Sequence, residues 1–412
     1  MKRFYQLSAG AGLVLILSAC GSRIERAQEK LEPLLESMRS TYAPDDRFEY
    51  WGLSLSEEAG FLFLQGEVTS QEAYQALSQE MKKQFPKIRN EVLLIPGEGE
   101  EPVVDALVNN SVIHLRRQPS SKTELITQAR LGAPVRILME KGGKTLIRIP
   151  DGYIGWVNPP EVFPVDSAAL QAYRQADKII YYRQYGFAYS AADTDSLPVS
   201  DLVIGNILAR TGEQGDFFQV GYPDGRTGWV KKDEVVPAEE IFFKTTTREG
   251  VVQTALQFHG IPYLWGGTSS KNIDCSGLVA NAYFLNGTQL PRDGDLQSLC
   301  GREVSTRYTA DGLEPGDLLF FGRKATEDQE EDITHVALYI GNGEFIHSAG
   351  WRERVSINSL DPARDNYIER YPEIYIRTVR IIGEEPNIGE EYRGFRPIYE
   401  NAFYREIIQT NN

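Results

Sequence analysis

The feature that most constrains this 412-residue chain is an internal repeat. Asp151-Gly152-Tyr153-Ile154-Gly155-Trp156-Val157 returns as Asp224-Gly225-Arg226-Thr227-Gly228-Trp229-Val230. Self-similarity of this kind is improbable by chance, and its simplest cause is one supersecondary unit used twice. Each copy follows β-rich segments separated by Gly-containing turns. These are Pro134 to Leu138 and Thr145 to Ile149 before the first, and Ile204 to Ala209 and Phe217 to Val220 before the second. Two small all-β units are therefore expected, at 103–165 and 175–240, with Trp156 and Trp229 in their cores.

Both copies resemble bacterial SH3-like barrels. The length leaves room for roughly two to four compact units in all. Residues 245–382 begin with helical patterns and continue as strands, which predicts a separate α+β domain. Upstream, 46–96 reads strand, strand, helix, strand, from Phe48 to Leu55, Phe61 to Val68, Gln71 to Phe85 and Val92 to Ile95. With Leu64-Gln65-Gly66-Glu67-Val68-Thr69-Ser70, this order resembles a BON-type module. A charged helix from Ser22 to about Tyr42 is expected to serve as a stalk, 21–45, and Pro96 to Pro102 as a linker. The tail 383–412 carries no interpretable pattern.

At the start, Lys2 and Arg3 precede Leu13-Val14-Leu15-Ile16-Leu17, too short an apolar run to span a bilayer but suited to a signal peptide, 1–20. The run ends in Leu17-Ser18-Ala19-Cys20-Gly21, which resembles a bacterial lipobox. That likeness implies a lipid on Cys20 and an extracytoplasmic protein anchored to a bacterial membrane, because several acyl chains suffice for stable attachment. An ordinary secretory signal is the alternative. Cys275 and Cys300 remain, too few for a disulfide framework and not spaced for a metal site. Neither a metal nor an organic cofactor is expected. If Cys275 is catalytic, Cys300 reads as a small buried residue. A net charge of −15 without a basic run argues against nucleic-acid binding.

Chemistry concentrates in 245–382. Glu249 to His259 reads as a helix stopped by Gly260 and Pro262, followed by Pro262-Tyr263-Leu264-Trp265-Gly266-Gly267. Asp274-Cys275-Ser276-Gly277 then opens a second helix. A cysteine in a first helical turn faces free N–H groups that stabilise thiolate, which suits a nucleophile. A thiol also needs a base, and the chain has four histidines. His114 and His259 lack polar neighbours. Thr334 to Ile340 and Glu344 to His347 flank Gly341-Asn342-Gly343, a hairpin that brings His335 and His347 within diagonal reach.

Cys275, His335 and His347 in this order resemble the Cys-His-His set of NlpC-type, papain-like cysteine peptidases. The likeness covers Arg248 to about Ile382 and includes Leu313-Glu314-Pro315-Gly316-Asp317. It implies that Cys275 is the nucleophile, His335 the base and His347 its orienter, with Tyr263 beside the oxyanion site. Pro291-Arg292-Asp293-Gly294, together with the two repeats, resembles the γ-D-glutamyl-L-diamino acid endopeptidases. In that family a substrate's free N-terminal amine is held by an aspartate here and a tyrosine and glutamate of the first barrel. The matching positions are Asp293, Tyr153 and Glu124, and Asp274, Ser276 and Gly294 fall to the same substrate site. Gly294 lacks the side chain relatives often carry. The implied partner is the peptidoglycan stem peptide L-Ala-γ-D-Glu-diamino acid. A general wall hydrolase or amidase on the same fold, and an inert wall-binding lipoprotein, are the rival readings.

Overall fold

Two units divide the chain, Met1–Gly97 and Glu98–Asn412. The computed structural model describes residues 22–97, 104–384, 396–397 and 401–408. The signal segment and Cys20 lie outside the described residues, as do most of the linker and much of the tail.

In the first unit a helix, Arg23–Tyr42, starts at a capping box in which Ser22 and Glu25 each bond the other's backbone N–H. Three strands follow, Trp51–Glu58, Phe61–Val68 and Ile88–Leu94, in that spatial order. The first pair is antiparallel and the second parallel, with Gln71–Gln84 as the crossover helix. Gly66 has φ +125°, and a Cβ there would strike the Gly52 carbonyl. The expectation of a stalk needs correction. Leu31 and Met38 lie on one helical face, seven residues apart, and are buried in the same core as Leu64, Leu77 and Met81. The helix and the small sheet are one packed unit.

The second unit contains two seven-stranded antiparallel arrays. Spatial order in the first is Val162–Pro164, Ala106–Val108, Pro134–Lys141, Lys144–Arg148, Ile154–Val157, Val112–Arg116 and Leu125–Arg130. In the second it is Pro198–Val203, Tyr185–Tyr189, Thr227–Lys231, Phe217–Gly221, Ile207–Gln214, Lys178–Tyr181 and Val235–Pro237. The repeated motif supplies equivalent strands, Ile154–Val157 and Thr227–Lys231. Each is preceded by a turn at Gly152 or Gly225 with φ of +92° and +86°, which favours glycine. Each is followed by a 3-10 turn and a short strand. Trp156 is buried, whereas Trp229 is half-buried.

A six-stranded antiparallel sheet completes the unit, in the order Arg302–Ser305, Tyr375–Arg380, Leu318–Arg323, Asp332–Gly341, Glu344–Ala349 and Arg354–Ser359. The helices Arg248–Gln257 and Cys275–Phe284 cover one face. Leu278, Val279 and Ala282 are buried in one cluster with Phe320, Val336, Leu338 and Ile346. Cys275–Phe284 is therefore apolar nearly all round, the pattern of a helix enclosed by protein. The end of the tail is structural. Ala402–Arg405 forms a short helix whose Tyr404 packs on Phe242 and Phe284, while Asn401 donates to the Pro150 carbonyl at 2.8 Å.

Candidate active site

Cys275 is the first residue of its helix. Asp274 caps that helix, its carboxylate accepting from the Gly277 N–H at 2.8 Å and the Gly266 N–H at 2.9 Å. The backbone N–H groups of Val336 and Ser276 bond the Cys275 sulfur and draw its pKa down, but burial and the Asp274 carboxylate push the thiol up to about 12. Burial and the Asp274 charge thus work against the thiolate that the helix start alone would favour.

Val336, whose backbone N–H reaches the Cys275 sulfur, follows His335 in the strand Asp332–Gly341. Leu338 pairs with Ile346 across the hairpin, so His335 and His347 lie diagonally on one face, and His335 Nε2 is 2.8 Å from His347 Nδ1. Phe321, Phe345 and Tyr371 surround both rings. Burial and the His347 ring hold His335 well below the usual imidazole range, and burial lowers His347 to about 4. Both effects favour the uncharged His335 imidazole.

Buried neutral histidines make stability depend on pH. Unfolded, His347 takes up a proton near pH 6.5, and folded only near 4, so its contribution is present above pH 6.5 and lost as pH falls towards 4. The expected penalty is about 1.4 kcal/mol per pH unit across that window. Urea unfolding at stepped pH should show a smaller loss for His347→Gln than for wild type. Asp151, raised to about 6 by burial, opposes the trend but does so in both proteins. Parallel curves would show that His347 does not fold neutral.

The remaining predicted positions divide into two groups. Tyr153, 3% exposed, directs its hydroxyl onto the Asp293 carboxylate across the seam between the first array and the catalytic domain. Asp293 precedes the short helix Gly294–Gln297 without capping it. Glu124 lies close enough to Asp293 for their charges to interact, and is held by Arg117 at 2.7 Å and by the indole N–H of exposed Trp265 at 2.9 Å. Gly294 abuts Val336, with ordinary space for a methyl group. Tyr263 is half-buried, near enough to Cys275 and Asp274 to feel their charge, although burial is what chiefly raises its phenol.

The side chains of Asp274 and Ser276 are part of a buried network. Arg292 meets Asp274 at 2.6 Å and Ser276 Oγ at 2.8 Å, and reaches Thr127 Oγ1 of the first array at 2.9 Å. Their side-chain donors and acceptors satisfy one another within the protein. His114 and His259 are exposed and take no part in the imidazole pair. His259 lies just beyond the helix Arg248–Gln257. Cys300 is buried, its thiol directed to the Leu296 carbonyl at 3.4 Å.

Two neighbours of His347 escaped the sequence reading. Asn358 Oδ1 is 2.8 Å from His347 Nε2, and the Tyr371 hydroxyl is 3.3 Å from its Nδ1. The only local signal for Asn358 was a polar residue at an inward position of the strand Arg354–Ser359.

With this geometry in view, comparisons with known proteins are informative. Residues 260–371 match the model described as NlpC/P60 family, and residues 115–159 that described as bacterial dipeptidyl-peptidase Sh3 domain. Dipeptidyl-peptidase 6 of Lysinibacillus sphaericus is 30% identical over 272 residues, covering 64% of this chain and 94% of that protein. Gamma-D-glutamyl-L-lysine dipeptidyl-peptidase of Bacillus subtilis (strain 168) is 29% identical over 242 residues, covering 57% of this chain and 75% of that protein. The crystal structure of an NlpC/P60 family protein from Bacillus cereus ATCC 10987 shares the fold, with a TM-score of 0.57 at 23% identity over 68% of this chain and 99% of that one.

Proposed function

The chain belongs to the NlpC/P60 family of cell-wall peptidases, and we propose that it hydrolyses the bond between γ-D-Glu and an L-diamino acid in stem peptides bearing a free N-terminal L-Ala. The observation that carries this reading is the meeting of Tyr153 with Asp293 beside Glu124. Two carboxylates and a phenol suit an ammonium group, which they would hold at a set distance from the thiol. The name of the Bacillus subtilis relative points to the same bond.

In this mechanism the Cys275 sulfur attacks the γ-carbonyl as its proton passes to His335. His335 then delivers that proton to the departing amine of the diamino acid, and a thioester remains on Cys275. Water, activated by the same imidazole, releases the dipeptide and restores the thiol. His347 keeps the base aligned throughout.

The finer architecture belongs to the same proposal. The second array is read as a second SH3-like barrel, since it repeats the first in motif, 3-10 turn and closing strand. The unit ending at Gly97 is read as BON-like. Among the described residues no helix is long and apolar enough to cross a membrane, and attachment is assigned to a lipid on Cys20.

Acetylating the L-Ala amine removes its charge and adds bulk. A charge-assisted contact contributes roughly 1.5–3 kcal/mol, so kcat/KM should fall at least about tenfold. Mass spectrometry of products from free and acetylated L-Ala-γ-D-Glu-diaminopimelate gives the ratio. Asp293→Asn and Tyr153→Phe should each reduce it, and non-additively if both grip one ammonium. A wild-type ratio near one would sink the free-amine reading and favour a general wall hydrolase.

A further inference from the structure

His347 can orient His335 only if its own protons are placed correctly. An imidazole that carries hydrogen on Nδ1 cannot accept from His335 Nε2 at 2.8 Å. His335 would then have to carry its proton on the nitrogen needed to receive the thiol proton. The pair thus requires something that forces His347 into the Nε2–H form.

The chain of partners behind His347 supplies it. The Asn358 side-chain amide donates to the backbone carbonyl of Asn366, an oxygen that also accepts from the Ser359 N–H at 3.3 Å. A carbonyl cannot donate, so the NH2 end of Asn358 must face it and the oxygen end must face His347. That oxygen is 2.8 Å from His347 Nε2 and can only accept, so Nε2 carries the hydrogen and Nδ1 presents a lone pair. His335 accordingly donates from Nε2, which leaves its Nδ1 free to take a proton. The Tyr371 hydroxyl, 3.3 Å from His347 Nδ1 and itself accepting from the Trp351 indole at 3.2 Å, also faces that nitrogen as a donor. At 2.8 Å His335 is the nearer partner. Asn358 and His347 are 1% and 0% exposed, so water does not compete for these contacts.

We propose that Asn358, held by the Asn366 carbonyl, is a positioning residue that sets the tautomers of both histidines and so prepares His335 to accept the Cys275 proton. The inference rests on the roles proposed for Cys275, His335 and His347. Its primary test uses no substrate, so its failure is distinguishable from failure of the specificity reading.

The test records ring 15N and 13C resonances of histidine-labelled wild-type protein at neutral pH. His347 and His335 are both expected as Nε2–H tautomers. Asn358→Leu removes the acceptor at similar volume, and should yield mixed tautomers at His347 and a kcat lower by about tenfold to a hundredfold with KM unchanged. A wild-type His347 protonated on Nδ1 overturns the proposal. So does a folded Asn358→Leu protein with kcat within twofold of wild type. Should Asn358→Leu fail to fold, the wild-type resonances alone decide.

Discussion

Replacing Cys275 with alanine is expected to remove hydrolysis while leaving the fold in place. In the proposed mechanism the sulfur forms the covalent bond, so without it the acyl-enzyme route is lost and the rate should fall by a factor on the order of 10⁶. The structural change is small. Cys275 is half-buried at a helix start whose cap, Asp274, is untouched, so stability should shift by no more than about 1 kcal/mol. His335→Ala should cost a similar factor. The double variant should be no worse than either single, because the two side chains act as one unit. Product release from defined muropeptides, followed by mass spectrometry beside thermal unfolding, measures both effects. Near-normal turnover in Cys275→Ala would refute the nucleophile, and an equal loss in His259→Ala would show that the base was misassigned.

What could be read from the amino-acid order depended on how local the determining contacts are. The histidine hairpin was legible because Gly341-Asn342-Gly343 fixes its turn, and alternation then places His335 and His347 on one face. The Asp-Gly repeat was legible because Gly152 and Gly225 both need positive φ. The strand-like character around His114 matches Val112–Arg116, whereas its partner Leu125–Arg130 carries no comparable turn signal and was not anticipated. Neither was the packing of the Arg23–Tyr42 helix, since its charged composition concealed the stripe through Leu31 and Met38. The thiolate expected at Cys275 followed from the helix terminus alone. Burial and the Asp274 charge, which oppose it, depend on the fold. The network at Asp274 and Ser276 was hidden for a similar reason: nothing local announces that Arg292, 18 and 16 positions away, folds back onto them.

That return of Arg292 leads to the second large expected effect. Its guanidinium is 2% exposed and Asp274 8%, and they meet at 2.6 Å while Ser276 and Thr127 take further N–H groups. Arg292→Met leaves a buried carboxylate with only the Gly266 and Gly277 N–H groups and Ser276 as partners. Breaking one side of a buried pair costs about 3–5 kcal/mol, because the remaining charge stays out of water. At ~2–4 °C per kcal/mol for a domain of this size, the melting temperature should drop by about 10 °C. Adding Asp274→Asn removes the stranded charge but keeps an acceptor for the helix cap, so the double variant should be more stable than Arg292→Met alone. Calorimetry on the two singles and the double tests this, and an Arg292→Met protein within about 1 kcal/mol of wild type would show the pair to be dispensable. Little salt dependence is expected, since buried pairs are screened far less than surface ones. The consequence also extends to specificity. Arg292 is bonded to Thr127 of the first array and adjoins Asp293, while Tyr153 approaches Asp293 from that same array. Loosening this anchor should therefore lower the preference for a free over an acetylated amine, even though the Arg292 side chain is itself buried.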